Sequence, residues 1–274
     1  ETPQARQLKL LSDAAEVRKA LALAPQREGI SPIPNPIKRP VRLALYKSWM
    51  GSMDEGWTRW VFDNFNVPYA SLMDADVRRG NLRTRYDAIV LPSQSQKDIV
   101  EGNAQGSYPE QFTGGITSQG VENLRRFVEE GGTLICFDAS SELAIKQFNL
   151  PLRNILEGVK RTEFYSPGSI LKLNVNTKDP LARGLDANTD AYFINSSAFE
   201  ATDADKVRVV ARYAGINLLR SGWLLGGGRI AGRIALAEVK MGQGRVILFG
   251  FRPQHRGQTW GTFPFIFNAI MSGA

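Results

Sequence analysis

His255 is the only histidine in the sequence, and it stands in Phe249-Gly-Phe-Arg-Pro-Gln-His-Arg-Gly-Gln258 between Arg252 and Arg256. A loop imidazole can serve as a general base, but two neighbouring guanidiniums disfavour its protonated form, and one histidine cannot supply the protein ligands of a zinc site. A base also needs an orienting acid and a nucleophile within reach, so a structural or anion-contacting role ranks ahead of catalysis. The nucleophile to look for is Ser140. There the apolar run Thr133-Leu-Ile-Cys-Phe-Asp138 enters Ala139-Ser140-Ser141-Glu142 and then a helix-like segment, the strand-turn-helix order of a nucleophile elbow. The glycines of Gly-x-Ser-x-Gly are absent. Ser140, His255 and Asp138 could in principle form a hydrolase triad; a helix-capping role for Ser140 or Ser141 is the simpler reading. Cys136 lies inside the apolar run and reads as a packed thiol, and a lone cysteine permits neither an internal disulfide nor a multi-cysteine metal site. Gly131-Gly132 and Gly226-Gly-Gly228 lack dinucleotide-binding spacing and placement. Asp54 and Glu55 open a helix, where the backbone dipole favours negative charge. No catalytic residue is therefore expected, with Ser140 and His255 the candidates if one exists.

The elements that would position these residues alternate as in a doubly wound sheet. Val41–Lys47 reads as the first strand. Ser52-Met-Asp-Glu55 has capping-box spacing and starts a helix through Phe65, on which Trp57, Trp60, Val61 and Phe65 are expected to face the core. Val67–Leu72 and Tyr86–Pro92 are further strands, followed by a polar loop over Lys97–Gly115. The stretch 116–130 reads as a helix with Val121, Leu124 and Val128 inward, stopped by Gly131-Gly132. Thr133–Asp138 is a strand and Ser140–Phe148 a helix. Beyond Pro151 strands dominate: Ser169–Val175, Ala191–Phe193, Val207–Tyr213, Ile230–Val239 and Arg245–Phe249, the last two joined by a tight Gly-Gln-Gly hairpin. A closing helix spans Thr262–Met271. The apolar residues Ile89, Val90, Leu134, Ile135, Val246 and Leu248 belong to the core.

The first forty residues differ. A helix-like segment, Ala5–Ala24, runs into a stretch with five prolines in sixteen residues (25–40), an extended connector by composition. The domain organisation expected is thus an N-terminal helix and Pro-rich linker over 1–40 and an α/β domain over 41–274. The chain starts with Glu1-Thr-Pro-Gln, which reads as a processed or excised piece. With 274 residues and 43% hydrophobic content the chain can bury a large core, and no apolar run is long enough for a membrane-spanning helix. The net charge of +7 is dispersed among acidic residues; even Arg78, Arg79, Arg83 and Arg85 read as a solvated loop, so no nucleic-acid partner is expected.

Four strings, Leu45-Tyr-Lys-Ser-Trp-Met-Gly-Ser-Met-Asp-Glu-Gly-Trp-Thr-Arg-Trp60, Tyr86-Asp-Ala-Ile-Val-Leu-Pro-Ser-Gln94, Pro167-Gly-Ser-Ile-Leu171 and Phe249–Gln258, resemble the carboxyl-terminal region of bacterial zinc carboxypeptidase-like proteins. The resemblance covers about residues 41–271. In that family a metallocarboxypeptidase domain precedes a domain similar to class I glutamine amidotransferases, which implies a flavodoxin-like three-layer α/β/α fold, here with added strands in the C-terminal half. The peptidase's His-x-x-Glu pair and third histidine are absent from this chain, as is the Gly-x-Cys-x-Gly elbow of the amidotransferases. The resemblance thus implies a non-catalytic accessory or recognition domain in a secreted or periplasmic protein, without a cofactor of its own. Zinc is expected only in an upstream peptidase domain, which would also be its partner. The polar residues after the strand ends, Ser48, Trp49, Asp54, Glu55, Ser93, Gln94, Gln96, Arg252, His255, Arg256 and Gln258, form the expected rim for a small-molecule or peptide ligand. The competing readings are a stand-alone hydrolase or amidotransferase-like enzyme using Ser140 or His255, and a pure protein-interaction module.

Overall fold

The structure is a computed structural model that describes residues 40–273. The expected N-terminal helix and nearly all of the Pro-rich linker lie outside the described residues. The strands are β1 (Leu43–Lys47), β2 (Ala70–Met73), β3 (Ala88–Leu91), β4 (Thr133–Phe137), β5 (Leu152–Asn154), β6 (Ser169–Val175), β7 (Asn188–Phe193), β8 (Phe199–Ala201), β9 (Val207–Tyr213), β10 (Leu219–Ser221), β11 (Ile234–Met241) and β12 (Gly244–Phe249). The α-helices are α1 (Met53–Asn64), α2 (Asp74–Arg79), α3 (Leu82–Arg85), α4 (Gln96–Glu101), α5 (Thr117–Glu129), α6 (Ser141–Gln147) and α7 (Phe263–Met271).

All these strands join one sheet. Its parallel part runs β2-β1-β3-β4-β12, the flavodoxin-like order, and antiparallel β11, β9, β6 and β10 extend it, with β7 on β6 and the short β5 and β8 beside β11. Helices cover both faces of the parallel part, which is why Ala88-Ile-Val-Leu91 and Thr133-Leu-Ile-Cys-Phe137 are buried at every position. The period of two divides them between two cores: Leu45, Val90, Ile135 and Ile247 pack with Phe62 of α1 and Ile266 of α7, whereas Ile89, Leu134, Val246 and Leu248 pack with Leu124 and Phe127 of α5. The hairpin between β11 and β12 is as tight as expected, with Met241 opposite Gly244 across a Gly242-Gln243 loop.

Four local expectations are corrected. Residues 97–115 are not all loop: Ser95 accepts the Asp98 amide at 3.1 Å and caps α4, whose Ile99 is fully buried, and a 3-10 turn follows at Glu110–Phe112. Helix α1 is rotated relative to the tryptophan stripe. Asp54, Thr58, Val61 and Phe62 face inward, while Trp60 is 37% and Phe65 43% exposed, because the inward polar groups of this helix have partners in the loop after β12. The capping box is half made: Ser52 Oγ accepts the Glu55 amide, but the Glu55 carboxylate pairs with Arg59. Likewise, Arg83 pairs with the buried Asp87 and Arg78 donates to the Gly115 carbonyl, so that arginine group is anchored to the fold.

Candidate functional site

In an open parallel sheet the loops at the carboxyl ends of the strands form the ligand-binding edge, and the crevice lies where strand order reverses, between β1 and β3. At this edge the chain builds a buried charge cluster. Arg252, in the loop after β12, places Nη1 3.2 Å from Asp54 Oδ2 at the start of α1 and donates from Nε to Asp138 Oδ2 at 2.9 Å. Ser93, just after β3, donates to the same Asp138 oxygen at 3.0 Å. Four strand ends thus meet on two carboxylates and one guanidinium.

Asp138 occupies the turn between β4 and α6 at φ +50°, a left-handed conformation uncommon for a residue with a side chain. This is the elbow geometry anticipated for Ser140, displaced by two residues. Ser140 is fully buried and its hydroxyl lies 2.9 Å from both the Leu91 and Phe137 carbonyls; it makes no cap bond. Ser141 contacts the Phe249 carbonyl at 3.0 Å. Both hydroxyls tie the elbow to neighbouring strands. Cys136 is buried within β4, and burial pushes its thiol pKa up.

His255 is 3% exposed, and its ring stacks flat on Tyr192 of β7, with centroids 4.8 Å apart and planes 5° apart. Its Nδ1 lies 3.7 Å from Asp54 Oδ1. Burial, then Arg252 and Arg256, pull its pKa down to about 4, so the imidazole is neutral at neutral pH. Burial pushes Asp54 up to about 6, against the opposing pull of Arg252 and with a further push from Asp138. Burial likewise raises Asp138, opposed chiefly by Arg252. Gln254, fully buried, donates from Nε2 to Thr58 Oγ1 at 2.9 Å and to the Asp54 carbonyl at 3.2 Å, locking the loop to α1.

Two glycines allow close approaches beside this cluster. A Cβ on Gly168 would come within 2.8 Å of the Tyr192 hydroxyl, and one on Gly257, at φ +70°, within 2.9 Å of the Trp60 ring. The four strings are therefore the parts of one edge: Asp54 and Trp60 come from the first, Ser93 from the second, Gly168 beneath Tyr192 from the third, and Arg252, Gln254 and His255 from the fourth.

Of the expected rim residues, Asp54, Ser93, Arg252 and His255 come together. Ser48 is buried and its hydroxyl accepts the Met50 amide; Trp49 is 40% exposed and packs edge-on against Phe112. Glu55 pairs with Arg59. Gln94 and Gln96 flank Ser95 at the start of α4 and are partly buried, and Arg256 and Gln258 are exposed. The sequence reading missed Asp138 as a cluster member, and missed Gln254 and Tyr192 altogether. The available signal was an Asp directly after a buried strand, a place where an uncompensated carboxylate would be costly. A cavity of about 490 Å³ lies away from this edge, between Phe148–Pro151 and the strand ends at Val207 and Val239. It contains no member of the cluster, and the chemistry-bearing residues mark the site better than the volume does.

No family model and no curated protein matches the chain. Solved structures do. A ThuA-like protein from Bacteroides uniformis superposes with a TM-score of 0.50 at 13% identity, covering 86% of this chain and 92% of that one. PurLQS from Thermotoga maritima gives 0.51 at 14% identity, covering 85% and 99%. A GMP synthase-type protein from Thermoplasma acidophilum gives 0.51 at 10% identity, covering 85% and 94%. At such identities the likeness is one of fold, and with the strand order it establishes a flavodoxin-like α/β/α architecture.

Proposed function

We propose that this chain is a recognition domain without catalytic activity of its own, the accessory part of a zinc carboxypeptidase-like protein. One observation carries the non-catalytic reading: the elbow after β4 presents Asp138, neutralised by Arg252 and Ser93, rather than a thiol or hydroxyl. A nucleophile must be free to approach an electrophile, and a carboxylate locked in a buried ion pair is not. The carboxypeptidase parent, its zinc, the peptidase domain as partner and the secreted or periplasmic setting rest on the four resembling strings. The second reading, a hydrolase using His255, draws on the Asp54 carboxylate facing Nδ1, the orienting half of a base dyad.

Hydrolysis of peptides, esters and L-glutamine by the chain, with and without zinc, tests both. The accessory reading expects no turnover and no stoichiometric zinc. Turnover that disappears in His255→Ala would overturn it in favour of the hydrolase.

A further inference from the structure

On the antiparallel extension of the sheet a cavity of about 280 Å³ opens where β8, the end of β9 and the start of β11 meet. Its lining includes Phe199, Glu200, Arg212, Gly232, Arg233 and Ile234, and no member of the charge cluster at the edge. Sheet register gathers these residues, because Ile234 of β11 stands opposite both Phe199 of β8 and Arg212 of β9. Backbone bonds hold the turn that carries the rest: the Arg233 amide donates to the Ile230 carbonyl at 3.0 Å and the Gly232 amide to the Tyr213 carbonyl at 2.9 Å.

The charges around this cavity do not balance. Arg153, opposite Glu200 across the β5–β8 pair, donates to Glu200 Oε2 from Nε at 2.8 Å and also from Nη2, while Arg233 Nη1 takes Oε1. Both carboxylate oxygens are thus engaged. Arg212 donates from Nη1 to the Gly232 carbonyl at 3.1 Å and pairs with no acid among the described residues. Three guanidiniums therefore share one carboxylate, which leaves an excess of two positive charges. Arg212 and Arg233, which line the cavity, are each anchored through one nitrogen, so that Nε and Nη2 of both remain free of hydrogen bonds among the described residues. Positioned guanidiniums with spare donors match the oxygens of a phosphate, and a dianion cancels an excess that a single carboxylate would only halve. We propose that this cavity binds a phosphate group, as inorganic phosphate or as a small phosphate monoester, with Arg212 and Arg233 as donors and Arg153 as the adjoining charge. The volume, just under the range of pockets for drug-sized ligands, suits a phosphate with a short stem.

Isothermal titration calorimetry of the whole chain with phosphate, phenyl phosphate and acetate tests this. Phosphate should bind at one site with a Kd of about 1 mM or tighter at low ionic strength, and acetate should bind at least about tenfold more weakly. Raising sodium chloride to about 0.3 M should weaken the phosphate complex severalfold. Tighter binding of phenyl phosphate than of phosphate assigns the site to a monoester; equal or weaker binding assigns it to the free ion. Arg212→Gln, at an exposed position, should weaken phosphate about tenfold, the loss of a charge-assisted donor. Glu200→Gln, which removes the one negative charge, should tighten it, an effect that a purely structural role for these residues would not produce. No saturable binding of either phosphate, acetate binding as tightly as phosphate, or unchanged affinity in both variants would overturn the proposal, as would loss of binding in Lys240→Gln, which lines the other cavity, with none in Arg212→Gln. None of these readouts involves turnover, so this failure is separate from failure of the non-catalytic reading.

Discussion

Replacing Arg252 with alanine should cost the fold about 3–5 kcal/mol at pH 7.5, the usual consequence of stripping the counter-charge from a buried ion pair. The structure argues for that range. Both carboxylates are nearly inaccessible, with Asp54 at 7% and Asp138 at 2% side-chain exposure, and among the described residues the guanidinium is the only permanent cation paired with either. For a domain of this size the loss corresponds to a melting temperature lower by roughly 10 °C. The loss must also depend on pH. Without Arg252, the folded-state pKa values of both acids rise further above their unfolded values. The variant then loses stability as pH climbs from about 4 through those raised values, while at pH 5 the acids are largely neutral in the folded state and the penalty shrinks. Urea denaturation of both proteins at pH 5, 6 and 7.5 measures this directly. Arg252→Lys keeps the charge but loses the fork that spans two carboxylates, and should fall between them. A loss below about 1 kcal/mol, equal at all three pH values, would refute the claim that this guanidinium holds the edge together.

Asp54 and His255 should shape the stability curve in opposite senses. With Asp54 raised to about 6, its contribution is present below pH 4 and lost as pH rises through 6, so Asp54→Asn should flatten that fall, worth up to about 3 kcal/mol, in denaturation curves across the interval. With His255 lowered to about 4, its contribution is present above pH 6.5 and lost as pH falls through 4; His255→Asn should remove up to about 3 kcal/mol of acid destabilisation. The orientation of α1 predicts that Phe62→Ala, at a fully buried position, costs about 3–5 kcal/mol and clearly more than Trp60→Ala, and calorimetry showing the reverse would mean the helix is rotated. Cys136 should resist alkylation in the native protein and react after unfolding, as read by mass spectrometry.

The amino-acid sequence by itself determined the parallel half of this protein. Runs such as Ala88-Ile-Val-Leu91 and Thr133-Leu-Ile-Cys-Phe137 can satisfy their apolar side chains only between two helical layers, and glycines and capping serines mark where they stop. It also placed Asp54, Ser93, Arg252 and His255 in the segments that follow strand ends, which is where the fold gathers them. What it could not decide was which face of α1 is inward. A stripe of tryptophans outweighs Asp54 and Thr58 on any hydrophobic count, and only the arrival of Gln254 and Arg252 from about two hundred positions away makes the polar face the buried one. The elbow follows the same logic. Two serines after β4 look like a cap or a nucleophile, yet their hydroxyls are taken up by the carbonyls of neighbouring strands, and Asp138 becomes the residue at the turn because a guanidinium stands opposite it. A buried charge is tolerated only with its partner, and the identity of the partner is a property of the tertiary structure.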